Sequence, residues 1–353
     1  MSRKTKVALN LVYALAALQF LRFYITSTHL WINLPHYLAG TDRLPFQRRF
    51  LPVPILIGFN KLFAHFSFLN HGEAVRTPEN FSLFCLATLA FCIAAFYLVR
   101  LYRAVSPTRL LEPLVLPVFI VLCLFTYVVH IGDTLSYPYD LPSVAFFTAG
   151  LFYIYQRRFL PLLAVILLGT INRETTLFLI LIYFIDAASD QAVPAARLRD
   201  RLNFRRLPWL RAALLLLPWA AVELTLTHYF NNHTNSEEYL RIHENLGYLR
   251  PRLWPALLNI GAYSLPLILL HRRYLKPARF ANYLLVLPAW LAIMFVKGTM
   301  TETRIYGEFT GYFAVAVVLL VEQYVQTAAA NASIESRSES DPPAASSFET
   351  MAA

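Results

Sequence analysis

The chain has 353 residues, of which 57% are hydrophobic, 15% aromatic and only 15% charged. That is too apolar for a water-soluble globular domain and places the chain among integral membrane proteins. The net charge of +10 does not signal nucleic acid, because the basic residues gather in short links between apolar runs, where membrane orientation puts them.

In chain order, apolar runs fall near 7–27, 80–99, 113–130, 141–155, 159–171, 174–186, 208–228, 254–270, 281–296 and 308–325, with a weaker run at 50–69. The first run lacks a small-residue cleavage signal and is followed by many others, so it reads as a span rather than a removable leader. Basic clusters follow at Arg3, Lys4 and Lys6, at Arg100, Arg103 and Arg109, at Arg157 and Arg158, from Arg197 to Arg211, and at Arg272, Arg273, Lys276 and Arg279. From the second cluster on, neighbouring clusters are separated by two runs, so all can face the cytoplasm.

Only the N-terminal part breaks this parity, and one of its three runs should not cross. The run at 50–69 carries Pro52, Pro54, Gly58, Asn60, Lys61 and His65, which suits a re-entrant or interfacial segment. The expected fold is therefore an all-α polytopic bundle of about ten crossings, with both termini cytoplasmic and residues 1–326 as its transmembrane domain. Residues 327–353 are rich in Ala, Ser, Glu and Pro and read as a disordered cytoplasmic tail. Cys85, Cys92 and Cys123 all lie in apolar runs, where a cysteine is a small packing residue.

Between the runs at 159–171 and 174–186 stands the stretch Asn172-Arg173-Glu174-Thr175. One continuous helix would bury Arg173 and Glu174 in mid-bilayer at roughly 2.5–3.5 kcal/mol each. A break there restores the charge parity but leaves two short helices of ~20 Å against a ~30 Å hydrocarbon core. The turn is thus expected to lie recessed from the outer surface, lining a protein-walled cavity.

With this topology the unusual polar segments share the outer side. They are 28–79, with Asp42, Arg48 and Arg49; 131–140, with Asp133, Tyr137 and Asp140; the Asn172–Thr175 turn; 229–252; and 297–307, followed by Glu308. Asp42 admits a role as general base beside guanidinium groups that grip phosphate, or a plain solvated loop position. Asp133 and Asp140 bracket a link whose tyrosines also fit an interfacial belt. Arg173 and Glu174 read as cavity residues or as a local ion pair. Arg304 and Glu308 have i, i+4 spacing, which suits a helix-end pair, and Glu302 is close by. In 229–252, Thr234 and Glu237 have capping-box spacing ahead of an amphipathic helix on the outer interface. Nucleotide-binding, serine-hydrolase and zinc-hydrolase motifs are absent from the sequence, and no metal-ligand set stands out, so any divalent cofactor is unassigned.

One cytoplasmic-start span, a long external loop holding Asp42, the segment PFQRRFLP, then GDTLSYPYD, NRET and ETRIYGE at external ends: together these resemble the GT-C superfamily of polytopic membrane glycosyltransferases. The stretch from YDLPSVAFF to NRETTLFL is also similar to bacterial membrane proteins of this general type. The resemblance implies a multi-pass cell-membrane enzyme, of the bacterial inner membrane, that moves a sugar from a polyprenyl-phosphate donor to an acceptor on the non-cytoplasmic side. It implies Asp42 as base, with Asp133 and Asp140 as alternates, and Arg48, Arg173 or Arg304 on the lipid phosphate. Arg49, Tyr137, Asn172, Glu174, Glu302 and Glu308 complete the expected substrate site. The chain departs from many members in lacking a paired acidic DxD or ExD signature and a large soluble C-terminal domain. The expected partners are membrane lipids and the lipid-linked donor. A transporter or flippase for a lipid-linked or anionic solute is the competing reading, since intramembrane charges also mark substrate pathways.

Overall fold

The computed structural model describes residues 3–66, 77–129, 134–189, 208–230, 236–237, 239–248 and 253–340. Helix dominates, as the apolar runs require of a chain that must satisfy its backbone polar groups away from water. Helix α1 (Arg3–Thr26) exposes Val7, Leu11 and Leu15 but buries Phe20, Leu21 and Tyr24 at its far end. The chain then forms a two-residue strand, β1 (His29–Leu30), parallel to β2 (Leu135–Ser136), which staples the first long loop to the segment before the sixth helix. Helix α2 (Leu34–Ala39) starts under the Asn33 side chain and stops at Gly40, whose φ of +77° suits glycine. Helix α3 (Pro52–Phe63) packs on α4 (Pro78–Val105), whose start is set by the Thr77 cap and Pro78.

Next come α5 (Glu112–Tyr127), α6 (Asp140–Tyr155), α7 (Phe159–Asn172) and α8 (Leu177–Ala188). Helix α6 is the hub. It is apolar or small all round and packs on α4, α7, α8 and the 303–309 turn. A Cβ on Gly150 of α6 would lie 2.5 Å from Leu179 of α8, so this glycine sets the close approach of the two helices. Then follow α9 (Trp209–Tyr229), α10 (Ile242–Tyr248), α11 (Leu253–Leu258), α12 (Ser264–His271), α13 (Ala278–Ala281) and α14 (Val286–Lys297). A 3₁₀ segment, Thr303–Phe309, leads into α15 (Thr310–Ser340).

Five of the described helical segments are individually long and apolar enough to cross a membrane: Val7–Thr26, Pro78–Val105, Trp209–Tyr229, Ala278–Lys297 and Thr303–Ser333. Helix length therefore does not carry the expected ten crossings. The runs at 159–171 and 174–186 form helices of 14 and 12 residues, and the run at 254–270 splits into α11 and α12 around a left-handed turn at Gly261, Ala262 and Tyr263. Short helices survive here because α6, α7 and α8 bury one another. The tail also differs from expectation. Its first part, 327–340, continues α15, because TAAANAS consists largely of good helix formers with no breaker, while 341–353 lie outside the described residues.

Polar contacts concentrate at the two ends of α6. At its C-terminal end, Arg279 donates to Asp186 from Nε and NH2 at 2.5 and 2.6 Å, and the Tyr283 hydroxyl donates to the same carboxylate at 2.5 Å. Arg279, expected among the orienting charges, is thus buried and neutralised. Nearby, Glu322 accepts from Tyr102, Ser106, Thr108 and the Leu110 amide, tying α15 to the end of α4. The opposite end of α6 begins at Asp140, about 21 Å away by helix rise.

Candidate functional site

The site is built where α6 begins and α7 ends. Pro142 falls in the first turn of α6, where its missing N–H costs nothing, and Asp140 opens the helix at the end that favours a carboxylate. Helix α7 stops because Arg173 adopts extended backbone. The next three residues, Glu174–Thr176, make a 3₁₀ turn into α8. Asn172 locks this turn to α6 by donating to the Tyr139 carbonyl at 3.1 Å and the Ser143 hydroxyl at 2.8 Å. Trp219 of α9 donates to the Glu174 carbonyl at 3.1 Å from the other side.

Three buried guanidinium groups converge there. Arg49 holds Glu174 in a fork, Nε at 3.2 Å and NH2 at 2.7 Å, and gives its remaining NH1 to the Tyr139 hydroxyl at 2.8 Å. Burial would lower the Arg49 pKa, but Glu174 and Tyr139 outweigh it and hold the group well above its ordinary value. Arg173 reaches Glu308 at 3.1 Å and Asp140 at 3.8 Å. Arg304 reaches Glu302 at 2.5 Å and Asp140 at 3.7 Å, and lies 4.0 Å over the Tyr137 ring. The Glu308 carboxylate also accepts from Thr175 at 2.5 Å, and the Tyr24 hydroxyl donates to the Tyr137 carbonyl at 3.0 Å, 3.4 Å from Asp140 Oδ2.

These contacts leave donors idle. Nε of both Arg173 and Arg304 is buried without a hydrogen-bond partner, while their Nη1 atoms make ion-pair contacts only, Arg173 to Glu308 at 3.1 Å and Asp140 at 3.8 Å and Arg304 to Asp140 at 3.7 Å. A buried charged donor without an acceptor is costly, so this is where an anionic ligand gains most. Arg173 and Arg304 both line a cavity of about 1030 Å³ that also takes in Arg48, Arg49, Tyr137 and Glu174. Its far wall carries Trp219, Ile293 and Met294, and its roof carries Glu237, Tyr239, Arg241 and Glu244.

The roof is a strap fastened at both ends. At one end Glu237 pairs with Arg43, and its amide donates to the Leu44 carbonyl at 2.8 Å. At the other, fully buried Asn245 donates to the Phe295 and Gly298 carbonyls at 2.8 Å each and accepts from the Met300 amide at 3.0 Å. The amphipathic helix expected over 229–252 is thus reduced to the short α10 and is pinned against α14 by its polar residue. Thr234, the expected cap, lies outside the described residues.

The expected site residues separate clearly. Arg48, Arg49, Tyr137, Arg173, Glu174, Glu302 and Arg304 line the cavity. Asp140, Asn172 and Glu308 lie directly behind it, each about fully buried. Asp42 is buried but does not line the cavity. Its Oδ1 accepts from the Arg43 amide at 2.9 Å, and its Oδ2 has no partner. Asp133 lies outside the described residues. Two local pairings are corrected. Arg173 and Glu174 do not pair with each other, since extended backbone at Arg173 sends neighbouring side chains apart. Arg304 pairs with Glu302 rather than Glu308, because 3₁₀ geometry does not stack i on i+4. Tyr137 and Tyr139 are not a lipid-facing belt: both are buried and covered by guanidinium groups. The expected set also lacks Tyr24, Tyr139, Thr175 and Trp219. Of these only Tyr139 carried a sequence signal, its place between Pro138 and Asp140.

Among the described residues no group of three or more His, Cys, Asp or Glu side chains forms a metal site. No protein-family model matches the chain, and neither a curated protein nor a solved structure matches it.

Proposed function

We propose that the chain is a membrane glycosyltransferase that moves a sugar from a polyprenyl-phosphate donor to an acceptor hydroxyl at the non-cytoplasmic face. On this reading it crosses the membrane about ten times with both termini in the cytoplasm, the short helices being completed by their neighbours. The observation that carries the proposal is Arg173: a guanidinium held at the floor of a large cavity, at one end of an apolar bundle, with its Nε lacking a hydrogen-bond partner.

The chemistry follows from the charges. The bond between the sugar C1 and the phosphate oxygen breaks, and its electron pair stays on the phosphate. Arg173 and Arg304 stabilise that growing charge in a water-poor site, where preplaced donors are worth most. The acceptor oxygen attacks C1 and gives its proton to a carboxylate. Asp42 is our candidate: its Oδ2 is unpartnered behind the Pro45–Arg49 wall of the cavity, to which its amide is tied through the Gln47 side chain at 3.0 Å, and on this reading the carboxylate turns past that wall to meet the acceptor. Asp140 is better suited to positioning, because it is locked between two guanidinium groups and is fully buried.

The test is to incubate purified protein with a panel of polyprenyl-phosphate sugars and candidate acceptors, and to follow release of polyprenyl phosphate. Turnover with at least one sugar is expected. Movement of the lipid across a vesicle membrane with no cleavage would replace this reading by the transporter.

A further inference from the structure

The three buried guanidinium groups of the cavity differ in how they are occupied. Arg49 spends all its nitrogens on Glu174 and Tyr139. It is a brace for the turn, with each of its nitrogens already engaged. Arg304 is the opposite case: one nitrogen is held by Glu302 at 2.5 Å, Nη1 meets only Asp140, at 3.7 Å, and Nε has no partner. Tyr137 covers one face of its plane, so the edge that Glu302 occupies is the edge available for recognition.

Glu302 is an unusual occupant of that place. It stands at the start of the 303–309 turn, yet its side chain caps no backbone amide. Its side chain is 27% exposed while that of Arg304 is 6% exposed, so the carboxylate sits on the cavity side of a buried cation. A carboxylate and a phosphate present oxygens of similar spacing to an arginine edge, so either can occupy the same place on Arg304. Moving Glu302 outward costs little desolvation, because it already meets water.

We infer that Glu302 fills, in the empty protein, the seat on Arg304 that a ligand's phosphate takes, and swings into the cavity when the phosphate arrives. This rests on reading the cavity as a phosphate site and adds where the phosphate sits and what it displaces. The internal carboxylate satisfies Arg304 until a phosphate takes its place. Arg173, on the other side of Asp140, lines the same cavity and adds its positive charge to the phosphate's surroundings.

Full-length protein in lipid nanodiscs, titrated with a long-chain isoprenyl monophosphate, tests this. Glu302→Gln should bind about fivefold tighter than wild type, the size of a partly exposed ion pair. Glu302→Ser should behave alike. Glu244→Gln makes the same charge change at another cavity carboxylate, one held by Arg241 at 2.9 Å, and should leave affinity unchanged. Arg304→Gln should abolish the gain in the Glu302→Gln background. Unchanged or weaker binding by both Glu302 variants, or equal tightening by Glu244→Gln, would overturn the placeholder while leaving the phosphate site standing. Absence of binding by wild type and every variant would remove the phosphate site itself, and the placeholder with it.

Discussion

Arg173 and Arg304 approach the same oxygen, Oδ1 of Asp140, at 3.8 and 3.7 Å, and neither makes a hydrogen bond to it. Two like charges are thereby held apart and together at once by a carboxylate that is fully buried. Asp140→Asn would leave the guanidinium groups facing each other without that charge, a loss of about 3–5 kcal/mol for a broken buried network. A clear fall in melting temperature is expected, with partial recovery on adding phosphate. Recovery absent in phosphate but present in sulfate-free chloride buffer would argue against an oxyanion seat between the two arginines.

Arg173→Lys keeps the charge and discards the planar fork. Donor affinity should fall by at least tenfold with the fold intact, since an ammonium cannot offer two parallel donors. Normal affinity in calorimetry would take Arg173 out of the ligand site and leave it as a partner of Glu308 and Asp140.

Asp42→Asn is nearly isosteric and removes only the proton acceptor. Turnover should drop by 100-fold or more, on the order of what a general base contributes, while donor binding stays within twofold of wild type by the same reasoning. Measured kcat and donor Kd separate these, and an unchanged kcat would move the base to another carboxylate.

At the far end of α6, the Arg279–Asp186 pair is remote from the cavity and should matter only for stability. Arg279→Gln strands a buried carboxylate, and thermal unfolding should occur at markedly lower temperature. The double variant Arg279→Met with Asp186→Leu should recover most of the loss, because no unpaired charge remains. Donor affinity should not change in either, and a change would tie this layer to the site.

Asn245→Ala cuts three hydrogen bonds that fasten the strap, worth about 1 kcal/mol each. Proteolysis should become faster within the strap. The KM for donor should rise more than kcat falls, since the roof of the cavity loosens while the arginine floor is untouched.

What the sequence makes legible here follows from what each signal depends on. Charges inside apolar runs stand out because composition alone marks them, so Arg173, Glu174, Arg304 and Glu308 are visible as candidates. Their pairings are not visible, because they are decided by backbone shape at two turns: extended at Arg173 and 3₁₀ over Thr303–Phe309. Apart from α2, helix positions from α1 to α9 follow the apolar runs closely. The split of α11 from α12 escapes it, since left-handed backbone at Ala262 and Tyr263 carries no residue-type signature. Tyr24 and Thr175 escape for another reason: they are ordinary helix-end residues until tertiary packing brings Asp140 and Glu308 to them.

The ion network joins residues as far apart in the chain as Tyr24 and Glu308, and its central carboxylate and arginine lie near the middle. During synthesis Asp140 and Arg173 emerge long before Arg304 and Glu308 do. Until the last segment is made, Arg173 and Asp140 have only each other, at 3.8 Å, and lack the Glu308 and Arg304 contacts that complete the network. A ribosome halted before residue 302 would therefore leave a half-built intermediate exposed to membrane quality control, and a separately supplied C-terminal piece carrying Arg304 and Glu308 would be the fragment able to rescue it.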